Sequence, residues 1–127
     1  MKFKALVFAA ALAAAFVPSA LVAQQHPHGT GKNGGQLSDA GNYHVEAVAE
    51  DSTLTVYLTD HDTDKAVATK GFKGLAILVV DGKAQRIALA PQGSNMLTGT
   101  SSAGLKAPIR GAIQITSSAN ATVQAKF

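Results

Sequence analysis

The stretch "NYHVEAVAEDSTLTVYLTD", Asn42 to Asp60, constrains this chain more than any other. Tyr43, Val45, Ala47 and Ala49 alternate with His44, Glu46 and Val48, and beyond Asp51-Ser52 the residues Leu54, Val56 and Leu58 alternate with Thr53, Thr55, Tyr57 and Thr59. A period of two sends the two sets to opposite faces of a strand and cannot form the stripe of a helix. A two-residue turn at Asp51-Ser52 sets Glu50 opposite Thr53, Ala47 opposite Val56 and Val45 opposite Leu58, which puts both apolar sets on one face. A slip of one residue would turn one set toward water, so the register is fixed by burial.

"GLAILVVDGKAQRIALA" predicts a second hairpin turning at Asp81-Gly82, where glycine tolerates the positive φ of a tight turn. "NMLTGT" follows, then "PIRGAIQIT" with Ile109, Gly111, Ile113 and Ile115 on one face, then "ATVQAKF" with Ala121, Val123, Ala125 and Phe127 on one face. Gly104 and Ser117-Ser118 punctuate these runs, and a short extended piece is expected near Ala66 to Ala68. No segment keeps a helical period over three turns. The expected fold is all-β, an immunoglobulin-like β-sandwich of about seven or eight antiparallel strands. An outer-membrane barrel, suggested by a leader and by Phe127 ending an alternating strand, would need strands of about 9–11 residues and aromatic girdles; the runs here are mostly shorter and aromatics are few.

Lys2 and Lys4 precede an apolar run from Ala5 to Val17, and Pro18 to Ala23 supplies small residues. This is the pattern of a secretory signal peptide over residues 1–23, cut after Ala23 or after Ala20, and it predicts export to the periplasm. The apolar run is short of the ~20 residues of a spanning helix, so no membrane span is expected in the mature chain. The 104 residues that remain of 127 suit one domain, expected over residues 36–127 behind a flexible Gly- and His-containing tail over residues 24–35. Cleavage takes Lys2 and Lys4 from the eleven basic residues and leaves nine against eight acidic ones, a net charge of +1, so no nucleic-acid partner is inferred. With no cysteine, no disulfide or thiolate site can form, and any metal must use histidine, carboxylate, backbone or terminal amine.

From Gly34 to Val67 the chain carries a Gly-Gly pair, the strand Tyr43-His44-Val45-Glu46, a turn, and a strand ending Tyr57-Leu58-Thr59-Asp60-His61-Asp62. This stretch resembles the small β domain that accompanies periplasmic adaptor subunits of heavy-metal efflux pumps, and stand-alone exported proteins built from that domain. The resemblance implies an immunoglobulin-like domain in a Gram-negative periplasm that handles copper, zinc or related ions. It implies no catalytic residues. The chain lacks the helical hairpin and the lipoyl-like and barrel domains of a full adaptor, so an efflux role would be accessory.

Three stretches are candidates for metal binding. If export leaves Gln24 first, its amine, the amide nitrogens of Gln25 and His26 and the His26 imidazole can wrap Cu(II) or Ni(II) in four nitrogens, with His28 a further contact; the plain alternative is a linker. "DHDTD", Asp60 to Asp64, has alternating carboxylates, but the sixth and twelfth loop positions are Lys65 and Gly71 where a calcium loop needs Gly and Glu. A solvated loop with aspartates accepting from nearby N–H groups is expected instead. Third, the register sets His44 opposite Thr59 and Glu46 opposite Tyr57 on the outer face, with His61 diagonal to His44 at ~7–8 Å. His44 and His61, with Glu46 or Asp62, could close on Zn(II) or Cu(II). The plain alternative is a half-exposed strand residue at His44 and a loop residue at His61, each hydrogen-bonded to water or backbone.

No nucleophile elbow, phosphate loop or carboxylate pair in an apolar pocket is legible, and no enzyme is expected. Two functions follow: a periplasmic metal-binding or metal-resistance accessory protein, or a metal-free interaction module that binds an envelope protein or efflux adaptor.

Overall fold

The computed structural model describes residues 29–127, so the leader and tail residues Gln24 to His28 lie outside the described residues. Eight antiparallel strands follow in chain order: β1 (Gln36–Ala40), β2 (Tyr43–Glu50), β3 (Thr53–Asp60), β4 (Lys73–Val80), β5 (Lys83–Gln92), β6 (Met96–Thr100), β7 (Gly111–Thr116) and β8 (Thr122–Lys126). The described residues contain no helix.

Both hairpins form in the expected registers. Glu50 pairs with Thr53, Ala47 with Val56 and Val45 with Leu58, while Val80 pairs with Lys83 around Asp81 (φ 51°) and Gly82 (φ 76°). Positive φ at both turn residues matches the right-handed twist of the flanking strands. Two elements differ from expectation. The Ala66 to Ala68 piece is no strand; it makes a single bridge, Thr59 to Ala66. The eighth strand is instead β1, which pairs with β2 through a turn at Gly41-Asn42.

The architecture also differs from a two-sheet immunoglobulin-like sandwich. All strands join one sheet in the order β1-β2-β3-β6-β5-β4-β7-β8, and β1 returns beside β8 to make a nearly closed, barrel-like sheet. β5 makes this continuity: Lys83 to Leu89 pair with β4, and Ala90 to Gln92 pair with β6. Side chains complete the seam between β1 and the β7–β8 region. The Gln36 amide donates to the Ile109 carbonyl (3.1 Å) and accepts from the Ile109 N–H (2.9 Å), as a strand neighbour's backbone would, and Ser38 Oγ donates to the Lys126 carbonyl (2.6 Å).

The inward faces are aliphatic and buried, with Val45, Leu54, Val56, Leu58, Leu97 and Ile113 fully so. A fully buried side chain of this size contributes about 1.5–3 kcal/mol, which lets the sheet hold together without a disulfide. Phe72 packs on Tyr43 at one end (ring centroids 6.1 Å), and buried Leu105, whose N–H donates to Asp51 O (2.6 Å), covers the other. An apolar interior with a polar exterior is the reverse of an outer-membrane barrel. No described helix is long and apolar enough to cross a membrane.

Candidate metal centre

The turn at Gly41-Asn42 sets Asp39 directly opposite His44, and the next pair along the row is His44 with Thr59. These residues face outward because their neighbours Ala40, Val45 and Leu58 fill the core. Beyond β3 the pairing runs one residue further, since His61 N–H donates to the Asn42 carbonyl (2.8 Å). Asp60 then turns the chain: its Oδ1 accepts from the N–H of Asp62 (2.9 Å) and Thr63 (3.0 Å) and from Thr63 Oγ1 (3.2 Å). These bonds favour the carboxylate and hold its pKa below the usual value, the Thr63 N–H contributing most and the Asp62 N–H next. "DHDTD" is therefore the solvated Asp turn that its lack of calcium-loop glycine and glutamate implies.

The turn folds His61 onto His44, and the two imidazoles stack with centroids 4.6 Å apart and planes inclined by 28°. His44 Nδ1 stands 2.6 Å from Asp39 Oδ1, and its Nε2 stands 3.5 Å from Asp64 Oδ1. One donor atom each from Asp39, His44 and His61 lies within 4.8 Å of the others. Ligand atoms on a tetrahedral Zn(II) stand about 3.3 Å apart, so these part-exposed side chains need to close by at most ~1.5 Å. The short Asp39 contact can act in a second way. A proton on His44 Nδ1 donated to Asp39 leaves the Nε2 lone pair free to ligate, which is how a carboxylate orients a metal-binding histidine. Two imidazoles and a carboxylate suit Zn(II) or Cu(II) and select neither.

Glu46 lies on the same outer face but is held elsewhere. Its Oε2 accepts from the N–H of Asn33 and of Gly35 (2.8 Å each), and its Oε1 accepts from Asn33 Nδ2 (3.0 Å). The segment Gly31 to Gly35 closes over this buried carboxylate, with Gly31 N–H bonded to Gly35 O (2.8 Å). Glycine is required by the close approach: a Cβ at Gly31 would fall on the Glu46 carboxyl, and one at Gly35 would lie 2.7 Å from Ala47 O. Asp62 Oδ1 lies 3.5 Å from His61 Nδ1 on an 89% exposed side chain, outside the converging group. Gln24, Gln25, His26 and His28 lie outside the described residues.

Asp39 is the member of this cluster that the sequence pattern did not single out. Its signal was present in "SDAGNYH", where a two-residue Gly-Asn turn sets the aspartate opposite the histidine. Asp39, His44 and Asp64 also line an open groove of about 710 Å³, together with Gly29 to Asn33, Leu37 and Tyr57. No protein-family model, curated protein or solved structure matches the chain.

Proposed function

We propose that this protein is an exported metal-binding protein that holds a divalent transition ion, Cu(II), Zn(II) or Ni(II), on the outer face of its sheet. His44 and His61 are the nitrogen donors, and Asp39 either ligates or orients His44. The observation that carries this reading is the stacking of two imidazoles beside a carboxylate, brought together from three segments on the outer face of the sheet. The leader pattern supports a periplasmic location, and the resemblance to efflux-associated β domains supports an accessory role in metal resistance. Glu46 and Asp62 take secondary parts, the first as a strut and the second as a neighbour of His61.

Titration calorimetry with each ion tests the reading. One ion per chain is expected, with affinity lowered by His44→Ala and by His61→Ala, and the two losses non-additive because both rings share one ion. Negligible, independent effects would refute it. If export leaves Gln24 with a free amine, a second Cu(II) or Ni(II) is expected at Gln24, Gln25 and His26, with His28 nearby; it should bind with proton release and be lost in His26→Ala.

The groove favours a second reading, a metal-free module whose face takes a segment of an envelope protein or an efflux adaptor. Its prediction is the opposite calorimetric result: no metal bound more tightly than by a simple histidine peptide.

A further inference from the structure

The net charge conceals a strong segregation. From Gln36 to Asp64 the chain has seven carboxylates and no Lys or Arg, whereas from Lys65 to Phe127 it has eight Lys or Arg and one carboxylate, Asp81. The closed order of strands turns this linear asymmetry into two faces, because β2 and β4 stand four places apart in the ring. His44 and Glu46 face outward from β2. The outer face of β4 is its opposite.

That opposite face is cationic and aliphatic. One row crosses four strands as Lys126, Ala112, Ile77 and Arg86, and the row beside it joins Ala84 to Val79, whose N–H donates to Arg110 O (2.9 Å). Leu75, Ile77 and Val79 make a stripe along β4, with Val79 55% exposed and no larger exposed hydrophobic among the described residues. Lys73, Arg86, Arg110 and Lys126 are all exposed around this stripe. Among the described residues no Lys or Arg pairs with a carboxylate, every recorded ion pair being that of a histidine. No Asp or Glu occupies an outward position of β4, β5, β7 or β8.

We infer that this face docks the protein on an anionic lipid bilayer, with the Leu75–Ile77–Val79 stripe at the headgroup boundary and the four cations against lipid phosphates. A small apolar patch ringed by one sign of charge matches such a surface, which offers negative charge above hydrocarbon. A second copy of this chain offers carboxylates on its β1–β3 face, but the outward apolar side chains there, Leu37, Val48 and Tyr57, are half-buried and interrupted by Glu46 and threonines, and none stands as exposed as Val79. Docking through β4 leaves the proposed metal face turned away from the membrane. The inference does not depend on a metal being bound.

All eight strands lie within residues 36–126, so protein beginning at Gln24 retains the whole fold and excludes the apolar leader from the test. Sedimentation with vesicles of phosphatidylglycerol and phosphatidylcholine in equal parts should carry the protein down, and vesicles of phosphatidylcholine alone should not. Each cation near an anionic surface raises partition about fivefold, so Arg86→Gln with Lys126→Gln should lower it about 25-fold. Raising salt from about 0.1 M to about 1 M shortens the Debye length from ~10 Å to ~3 Å and should release the protein. Glu50→Gln, on the opposite face, should leave binding unchanged, and the circular dichroism of every variant should match that of the parent. Equal binding to both vesicle types, or partition indifferent to Arg86→Gln with Lys126→Gln, would overturn the inference. Salt-sensitive dimers that vanish in the same double variant, without vesicle binding, would overturn it as well and make the face a contact between copies. Metal titration of the double variant reads the other face separately.

Discussion

Replacing Glu46 should separate a strut from a ligand. The residue is 7% exposed and its carboxylate accepts three hydrogen bonds, two of them from backbone N–H groups. Hydrogen bonds to a charged group contribute about 1.5–3 kcal/mol each, and a buried donor left unsatisfied costs about 1–3 kcal/mol. In Glu46→Ala the Asn33 side chain can turn to water and the Gly31 to Gly35 segment can lift away, so the expected loss is about 3 kcal/mol rather than the sum. For a domain of this size that lowers Tm by roughly 10–20 °C. Glu46→Gln should cost much less, about 1 kcal/mol. Both backbone bonds end on Oε2, a position the glutamine oxygen can take, while the Asn33 amide flips to accept from the new NH2 group. Thermal and urea denaturation read the ranking, and hydrogen exchange at the Asn33 and Gly35 amides locates it. A loss below about 1 kcal/mol in Glu46→Ala, or equal losses in the two variants, would refute the assignment.

Three further outcomes follow from the same geometry. Gln36→Ala removes both side-chain bonds across the seam and should cost about 1–3 kcal/mol, with faster hydrogen exchange in β1 and β8 than in β2 and β3. Leu54→Ala, at a fully buried position of β3, should cost about 2–5 kcal/mol in urea denaturation. The Asp60 pKa is depressed in the folded chain, so its contribution is complete above the usual aspartate value of about 3.9 and is lost as pH falls through the lower folded value. Asp60→Asn should therefore flatten the acid limb of the stability profile measured by thermal denaturation.

The hairpins were legible because their information is local. Period-two alternation and a short turn fix which residues face each other, and the structure keeps those pairs to the residue. β1 was illegible for a related reason. In "QLSDA" the inward positions include Gln36 and Ser38, and Leu37 faces outward, so the strand inverts the apolar pattern. Those inward polar groups are the ones that bond Ile109 and Lys126 across the seam. Closure itself left no local trace. A sandwich and a barrel both bury one face of each strand, and they differ in long-range choices such as β3 beside β6 and β5 passing from β4 to β6.

The candidate site divides along the same line. His44 opposite Thr59 and His61 near His44 follow from one hairpin register, while the exclusion of Glu46 depends on a segment that returns from outside that hairpin to occupy its oxygens. Outward position on a strand therefore does not make a carboxylate a ligand; its oxygens must also be free of N–H donors. In the proposed centre Asp39 takes that place, because the Gly41-Asn42 turn brings it to His44 with one oxygen facing the ring. The contrast can be measured in one pair of variants. Glu46→Ala should lower Tm while keeping the stoichiometry of bound metal, since its three donors belong to Asn33 and Gly35 and none to His44 or His61. Asp39→Ala should do the reverse: it breaks no backbone bond and exposes no core, so Tm should move by less than about 1 kcal/mol equivalent, while metal affinity falls by the 10–100-fold expected when a ligand-orienting carboxylate is lost. Metal affinity that followed Glu46 instead of Asp39 would move the centre along β2 and return the histidine pair to a solvated stack.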